Sequence, residues 1–346
     1  MTTKVSPALQ TFNDNGNYYI NGNFDIWQRG ITSSLTGYLS DRWKDGGSGV
    51  TKTSSRETFS LGQTDVPNNP KYYHRTIITV AGVAAGDNTN FHQRVEGVKV
   101  LADETITASF WVKADSSKNM AVDFTQYFGT GGSPSTTNHG IGVTTLNLTT
   151  SWQKITITVS VPSISGKTLG TDGNDYFRMM LWYDAGSTYD ARTNSLGHQT
   201  GTFDVAQFKI EKGSIATSFE NRPIAEELAL CQRFFEKSYG IETPVGTITL
   251  DGILYFRQDR IGTSNTLTRQ TNGQTNFKTT KRAIPTMTGY NPDTGTAGEV
   301  RTTADDNFTI DGFVGVGQNG FPSIDTSAAA DANKTFQLHW TADAEL

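Results

Sequence analysis

The sequence is short of the features that usually announce chemistry. Among 346 residues there is one cysteine, Cys231, so no disulfide can close within the chain and no zinc site can be built on several thiolates. Five histidines are scattered at His74, His92, His139, His198 and His339, and none falls in a metal-ligand spacing such as H-E-x-x-H. There is no G-x-S-x-G nucleophile elbow and no P-loop. No run reaches the roughly 18 apolar residues of a membrane-spanning helix, so membrane insertion is not expected. Basic charge is scarce as well. Lys and Arg number 29 against 34 Asp and Glu, a net charge of −5, whereas nucleic-acid binding needs a basic field. The opening MTTKVSPALQ has no apolar signal region, so export through a signal peptide is not expected.

What is plentiful points to β-structure. Glycine occurs 35 times, Thr, Ser and Asn are frequent, and charged residues make up only 18%. That is the composition of strands joined by turns, and aromatics at 11% supply their cores. The length allows two domains or three. Strand patterns recur from about residue 18 to 215: YYINGNFDIW (18–27), KYYHRTIITV (71–80), FHQRVEGVKV (91–100), AVDFTQYF (121–128), YFRMMLWYDA (176–185) and GTFDVAQFKI (201–210). TITASFWVKA (105–114) alternates cleanly, with Ile106, Ala108, Phe110 and Val112 on one face. WQKITITVSV (152–161) does the same with Ile155, Ile157, Val159 and Val161. About eight strands separated by polar turns suit a jelly-roll β-sandwich.

The period then changes. RPIAEELALCQRFFEKSYG (222–240) predicts a helix that starts at Pro223, carries Glu226 and Glu227 in its first turns and Lys237 in its last, and stops at Gly240. Ile224, Leu228, Cys231 and Phe235 form an apolar stripe, widened by Leu230 and Phe234. Strand patterns return in TPVGTITLDGILYFRQ (243–258), NTLTRQ (265–270), QTNFKTT (274–280), AIPTMTGYNP (283–292), NFTIDGFVGV (307–316) and KTFQLHWTADAEL (334–346). The expected organisation is an all-β chain: an N-terminal arm (1–17), a sandwich (18–220), a connecting helix (221–240) and a smaller antiparallel β domain (241–346).

Three blocks carry a resemblance: NGNFDIWQRG with YLSDRW; LTTSWQKITITVSVP with FDVAQFKIEKGSIATSFENRPIAEELALCQRFFEKSY; and FKTTKRAIPTMTGYNP with the closing WTADAEL. Together they resemble bacteriophage virion proteins of the tail-fibre and head-fibre kind. The first β region is also similar to jelly-roll carbohydrate-binding modules, which open on an Asn-Gly-x-Phe-acid strand, here Asn21, Gly22, Phe24 and Asp25. The resemblance implies a non-enzymatic, homotrimeric protein on the virion surface, in contact with other tail or capsid proteins and with host-surface glycans. Only about 17 residues precede the sandwich, so a short fibre or fibre tip is expected. Alternatives are a capsid decoration protein and a polysaccharide-degrading tail protein. The resemblance further implies a structural Ca²⁺ between the first and last strands, held by Asp25 and Asp204 through hard oxygen ligands.

If the apolar side of each strand is core, the opposite faces offer Trp111; Asp123 and Tyr127; Arg178 and Trp182; and Arg94. Rings for sugar C–H faces, with charged and polar groups for hydroxyls, make these six a candidate carbohydrate-binding surface. Two carboxylates could instead form a glycosidase pair, and Asp123 with Glu96 is the combination such a reading would select.

Overall fold

The computed structural model describes residues 16–257, 268–269, 274–326 and 335–346, with backbone only at 257, 268 and 269. Residues 1–15 and most of NTLTRQ lie outside these. The chain divides into two compact units. The first holds the described residues up to Asp25, Thr32–Arg222 and Leu346; the second holds Ile26–Ile31 and Pro223–Glu345. The residues of the expected helix from Pro223 onward fall in the second unit.

In the first unit the strands run β1 (Thr32–Ser33), β2 (Gly37–Tyr38), β3 (Trp43–Ser48), β4 (Thr51–Thr58), β5 (Tyr72–Val80), β6 (Asn88–Glu96), β7 (Thr105–Ala114), β8 (Lys118–Tyr127), β9 (Asn138–Leu148), β10 (Gln153–Ser160), β11 (Tyr176–Ala185) and β12 (Gly201–Lys212). They build two six-stranded antiparallel sheets, A in the order β1-β4-β5-β12-β7-β10 and B in the order β2-β3-β6-β11-β8-β9. The chain steps from β5 in A to β6 in B, to β7 in A and β8 in B, and again from β9 through β12, which is the wrap of a jelly roll.

Alternation decides the inner faces. Ile106, Ala108, Phe110 and Val112 of β7 are buried, as are Ile157 and Val159 of β10. Sheet B contributes Phe91, Val95, Val122, Phe124, Phe177, Met179 and Leu181. At one end of this core an aromatic cluster forms. Trp43 stacks on Phe91 at 5.1 Å and lies 4.6 Å from Phe208, which stacks on Phe110 at 4.8 Å. Truncating a ring of this size in a sealed core costs about 3–5 kcal/mol. Polar groups are buried beside them: Asp45 accepts from Ser54 Oγ at 2.6 Å and lies 3.4 Å from His74 Nε2, whose ring stacks on Phe91 at 4.1 Å. Burial raises the Asp45 pKa, but His74, Lys52 and Ser54 outweigh that and hold it below the usual carboxylate range.

Two expectations change here. NGNFDIW is not an opening strand. Asn21–Phe24 is a turn closed by the Phe24 N–H on the Asn21 carbonyl at 3.1 Å, and both Asn21 and Phe24 have positive φ. Gly22 sits so close to Phe208 that a Cβ there would meet the Phe208 carbonyl oxygen at 2.2 Å. The turn trades strand pairing for a seat on the aromatic cluster: the Trp43 indole N–H donates to the Asn21 carbonyl at 3.0 Å. Trp27 and Trp43 are both buried.

The second change concerns the helix. α1 is a single turn at Asp190–Thr193 in the first unit, and α2 covers only Ile224–Gln232. Pro223 is its N-cap, and its carbonyl accepts the N–H groups of Glu226 and Glu227. After Gln232 the chain leaves the helix, because Phe235–Lys237 (β13) pairs with Thr341–Asp343. Lys237 is buried and donates to the main-chain oxygens of Gln28, Ile241 and Thr243. The last turn of a helix could not present three such acceptors to one ammonium. The stripe is correspondingly partial, with Cys231 buried but Ile224 exposed.

The remaining strands of the second unit are β14 (Leu254–Arg257), β15 (Thr268–Arg269), β16 (Thr275–Asn276), β17 (Thr286–Tyr290), β18 (Glu299–Thr302), β19 (Asn307–Val314), β20 (Gly320–Phe321), β21 (Ser323–Thr326) and β22 (Thr335–Asp343). The strand expected from residue 243 begins only at Leu254, after a run of turns. β22 is the hub and pairs with β13, β14, β17 and β18. Its Phe336, Leu338 and Trp340 form a core with Phe256, Phe277 and Phe321.

Candidate functional site

Register decides which side chains can share a face, and the sandwich has two outer faces. On sheet B, β11 lies between β6 and β8. Its row Tyr176, Arg178, Met180, Trp182 faces Glu96, Arg94, His92, Asn90 on one side and Tyr127, Thr125, Asp123, Ala121 on the other. Five of the six residues expected to bind sugar therefore do share a face: Trp182, Arg178, Asp123, Tyr127 and Arg94. Trp111 does not join them. It belongs to β7, on the outer face of sheet A.

Gathering is not exposure. The segment after β11 folds back over this face and carries α1. Trp182 is 1% exposed, with the Tyr189 ring 4.9 Å away and the Arg192 guanidinium over it at 4.8 Å. Asp123 is fully buried and saturated. Its Oδ1 accepts from Trp182 Nε1 at 2.8 Å and Arg192 Nη2 at 3.2 Å, and its Oδ2 from Arg192 Nε at 2.9 Å and the Gly140 N–H at 3.1 Å. Trp182 with Ala121, Met180, Ala185, Tyr189 and Leu196 thus forms a small satellite core. Trp182 offers no stacking platform, and Asp123 has no position left from which to pass a proton as half of a glycosidase pair. At the other end of the face Tyr127 stacks on Tyr176 at 4.7 Å, and Arg94 lies 4.6 Å over the Tyr176 ring.

Sheet A presents a different outer face. Its order β4-β5-β12-β7-β10 sets two rows across the strands: Glu57, Tyr73, Ala206, Trp111, Lys154, and Ser55, Arg75, Asp204, Lys113, with Trp152 just ahead of β10 beside Lys113. The short side chains of Ala206 and Asp204 at the centre leave room for longer neighbours to lean across. Tyr73 and Trp152, three strands apart, meet edge to face at 5.4 Å, and Phe59 touches both at 4.7 and 5.3 Å. All three rings and Trp111 are half-buried. Asp204 orients the cations beside them. It takes a two-point bond from Arg75 at 2.7 and 2.8 Å and holds Lys113 at 3.6 Å, while Lys113 sits 5.1 Å over Trp152. Hydrogen bonding to Asp204 raises the Arg75 pKa further above its ordinary value.

Tyr73, Trp152, Phe59, Arg75 and Lys113 escaped the sequence reading, yet part of the signal was present. Trp152 falls on the same parity as Lys154 and Thr156, opposite Ile155 and Ile157, and so points away from the core.

The calcium expectation does not suit these donors. Asp204 gives its oxygens to Arg75 and Lys113. Asp25 accepts from the Asn23 amide at 3.0 Å, and burial raises its pKa against the charged form a metal needs. Among the described residues no three His, Cys, Asp or Glu side chains converge as metal ligands would.

No protein-family model matches the chain, and no curated protein is significantly similar to it. Several solved structures match part of the chain. One described as "CBM4 structure and function" is 17% identical, covering 56% of this chain and 98% of that one at a TM-score of 0.32. TmCBM61 in complex with beta-1,4-galactotriose is 11% identical, with 57% and 99% covered at 0.30. The enzymatically active domain of bacteriophage CBA120 tailspike protein 4 is 10% identical; 57% of this chain but only 22% of that one is covered, at 0.34. Values this low identify neither a ligand nor an activity.

Proposed function

We propose that this protein binds carbohydrate without cleaving it, and that the saccharide lies on the outer face of sheet A. The observation that carries the proposal is the group of half-buried rings Tyr73, Phe59 and Trp152, with Trp111 in the adjoining row, set beside cations that Asp204 already orients. Sugar C–H faces pack on such rings, while hydroxyls need donors and acceptors at fixed positions. Arg75 and Lys113 supply donors and Glu57 an acceptor, with the buried Asp204 holding the two cations in place. Because an ion pair holds them before any ligand arrives, little side-chain freedom is left to lose on binding. The setting we propose is a bacteriophage fibre or fibre tip, trimeric on the virion surface, that attaches to host-surface glycans. It rests on the NGNFDIWQRG, RPIAEELALCQRFFEKS and WTADAEL blocks.

Glycan-array binding of the full chain tests the site. Trp152→Ala and Tyr73→Ala should each weaken binding at least about tenfold, with the melting temperature moving by no more than about 2 °C. Binding that survives both substitutions overturns the placement, and no binding to any host-surface glycan overturns the function. A monomer by light scattering in solution removes the trimer, and absence of the protein from purified virions removes the setting.

A further inference from the structure

The outer face of sheet B holds charge that the sandwich does not explain. Arg178 and Arg94 are direct cross-strand partners on β11 and β6, an arrangement in which like charges repel. Arg178 is 7% exposed, yet among the described residues it makes no hydrogen bond or ion pair, and its Nε is left without a partner. The Tyr176 ring lies 5.7 Å from its guanidinium carbon, and Asp123 acts on it only at a distance, without a bond. Arg94 has an unpartnered Nε too, although its Nη1 donates to the main-chain oxygen of Leu346. Beside them stands His92, cross-strand from Lys44, with a buried and unpartnered Nε2.

The acids of this face do not balance the account. Asp123 is committed to Arg192 and Trp182, and Glu96 stands two residues beyond Arg94. Arg94, Arg178 and Arg192 thus share this face with Asp123, whose oxygens Arg192 and Trp182 already take, in a chain whose net charge is −5. A buried guanidinium without a counter-charge is costly. Burial, with Arg192 and Arg94 nearby, brings the Arg178 pKa down to about 10. Burial followed by Arg178, Arg94, Lys44 and Lys52 pushes His92 well below its ordinary value. Solvent still reaches the rim formed by Arg94, Tyr127 and His139.

We propose that the outer face of sheet B is an oxyanion site, and that Arg178 and Arg94 together take the carboxylate of an acidic saccharide. A guanidinium fork meets a carboxylate at two points, and one such group between two cross-strand arginines turns their repulsion into attraction. The half-buried Tyr127, stacked on Tyr176, offers the adjoining sugar ring a flat partner. This site is separate from sheet A and does not depend on the reading given to it.

Thermal melts of the full chain with an oligomer of galacturonic acid, its methyl ester and sodium sulfate, all at matched ionic strength, test the assignment. At ten times its Kd the acidic oligomer should raise the melting temperature by roughly 3–5 °C, and the other two should not. Arg178→Met and Arg178→Gln should abolish the shift while melting no lower than the parent without ligand, since each removes the like-charge pair. Trp152→Ala should keep the shift, which separates this site from the glycan face. Should either Arg178 variant fail to fold, calorimetric titration of Arg94→Gln replaces it, with at least tenfold weaker binding expected. No shift with any anion overturns the site, as does a shift that survives loss of Arg178 or Arg94. A sulfate shift as large as that of the oligomer overturns the saccharide assignment.

Discussion

The two outer faces of one sandwich follow the same strand alternation and end in opposite states. On sheet A the rings stay half-open and a carboxylate pairs the cations, with Asp204 between Arg75 and Lys113. On sheet B a returning segment seals the largest ring, and farther along the face the buried Arg178 makes no hydrogen bond or ion pair among the described residues. What differs is what crosses the face after the strands are laid down. Sheet A keeps its polar groups satisfied and its rings available, which suits a neutral sugar. On the outer face of sheet B, Trp182 and Asp123 go into packing, and what remains is the cross-strand pair Arg178 and Arg94. A tryptophan on the outward parity of a strand is therefore an opportunity that a loop can remove.

The largest expected break in this contrast is Asp123→Ala. It strands Arg192 and the Trp182 indole N–H in a sealed satellite core, and denaturant unfolding should show a loss of about 3–5 kcal/mol. A loss below about 1 kcal/mol would mean that the covering segment is not held by this carboxylate. Asp204→Asn, the counterpart on sheet A, should cost only about 0.5–1.5 kcal/mol, because Arg75 and Lys113 are partly solvated. Equal losses at Asp123 and Asp204 would erase the distinction between a sealed and an open face.

A smaller effect appears with pH. His92 is held neutral in the fold by burial, with Arg178, Arg94, Lys44 and Lys52 adding to it. Below about pH 6.5 the unfolded chain takes up a proton that the folded chain refuses, so stability should fall as pH drops from there. Burial acts in the same direction on His139 and His339. His198 opposes them, because its bond to Asp184 raises its pKa; its contribution is present below about 6.5 and is lost as pH rises through the raised value. Melting curves between pH 5 and 7 should flatten in His92→Gln, and an unchanged slope would show that His92 titrates freely. The smallest expected effect is that of a chelator. With Asp204 committed to arginine and lysine, EDTA should leave the melting temperature where it was, and a fall of several degrees would reinstate a calcium site.

Much of the sandwich is legible in single strands. The alternation of Ile106, Ala108, Phe110 and Val112 names a buried face without any partner, and the same parity puts Trp182, Asp123, Arg178 and Arg94 on outward faces. The misses share a cause. Helical spacing over 222–240 cannot show that Phe235–Lys237 pairs with Thr341–Asp343, some hundred residues away. The Asn-Gly at 21–22 is a turn pair inside a strand-like run, and the contact that decides for the turn is with Phe208, far along the chain.

The sequence alone settled the β-class, the inward and outward parity of strands such as β7 and β10, and a helix beginning next to Pro223, because these depend on neighbours within a few residues. It left undecided which sheet each strand would join, so Trp111 was grouped with residues of the other sheet. It also left undecided which outward rings would meet solvent. Those choices are made by strand order and by the segment that crosses a finished face. Both are long-range contacts with no period in the chain, and the tertiary structure alone sealed Trp182 and left Trp152 open.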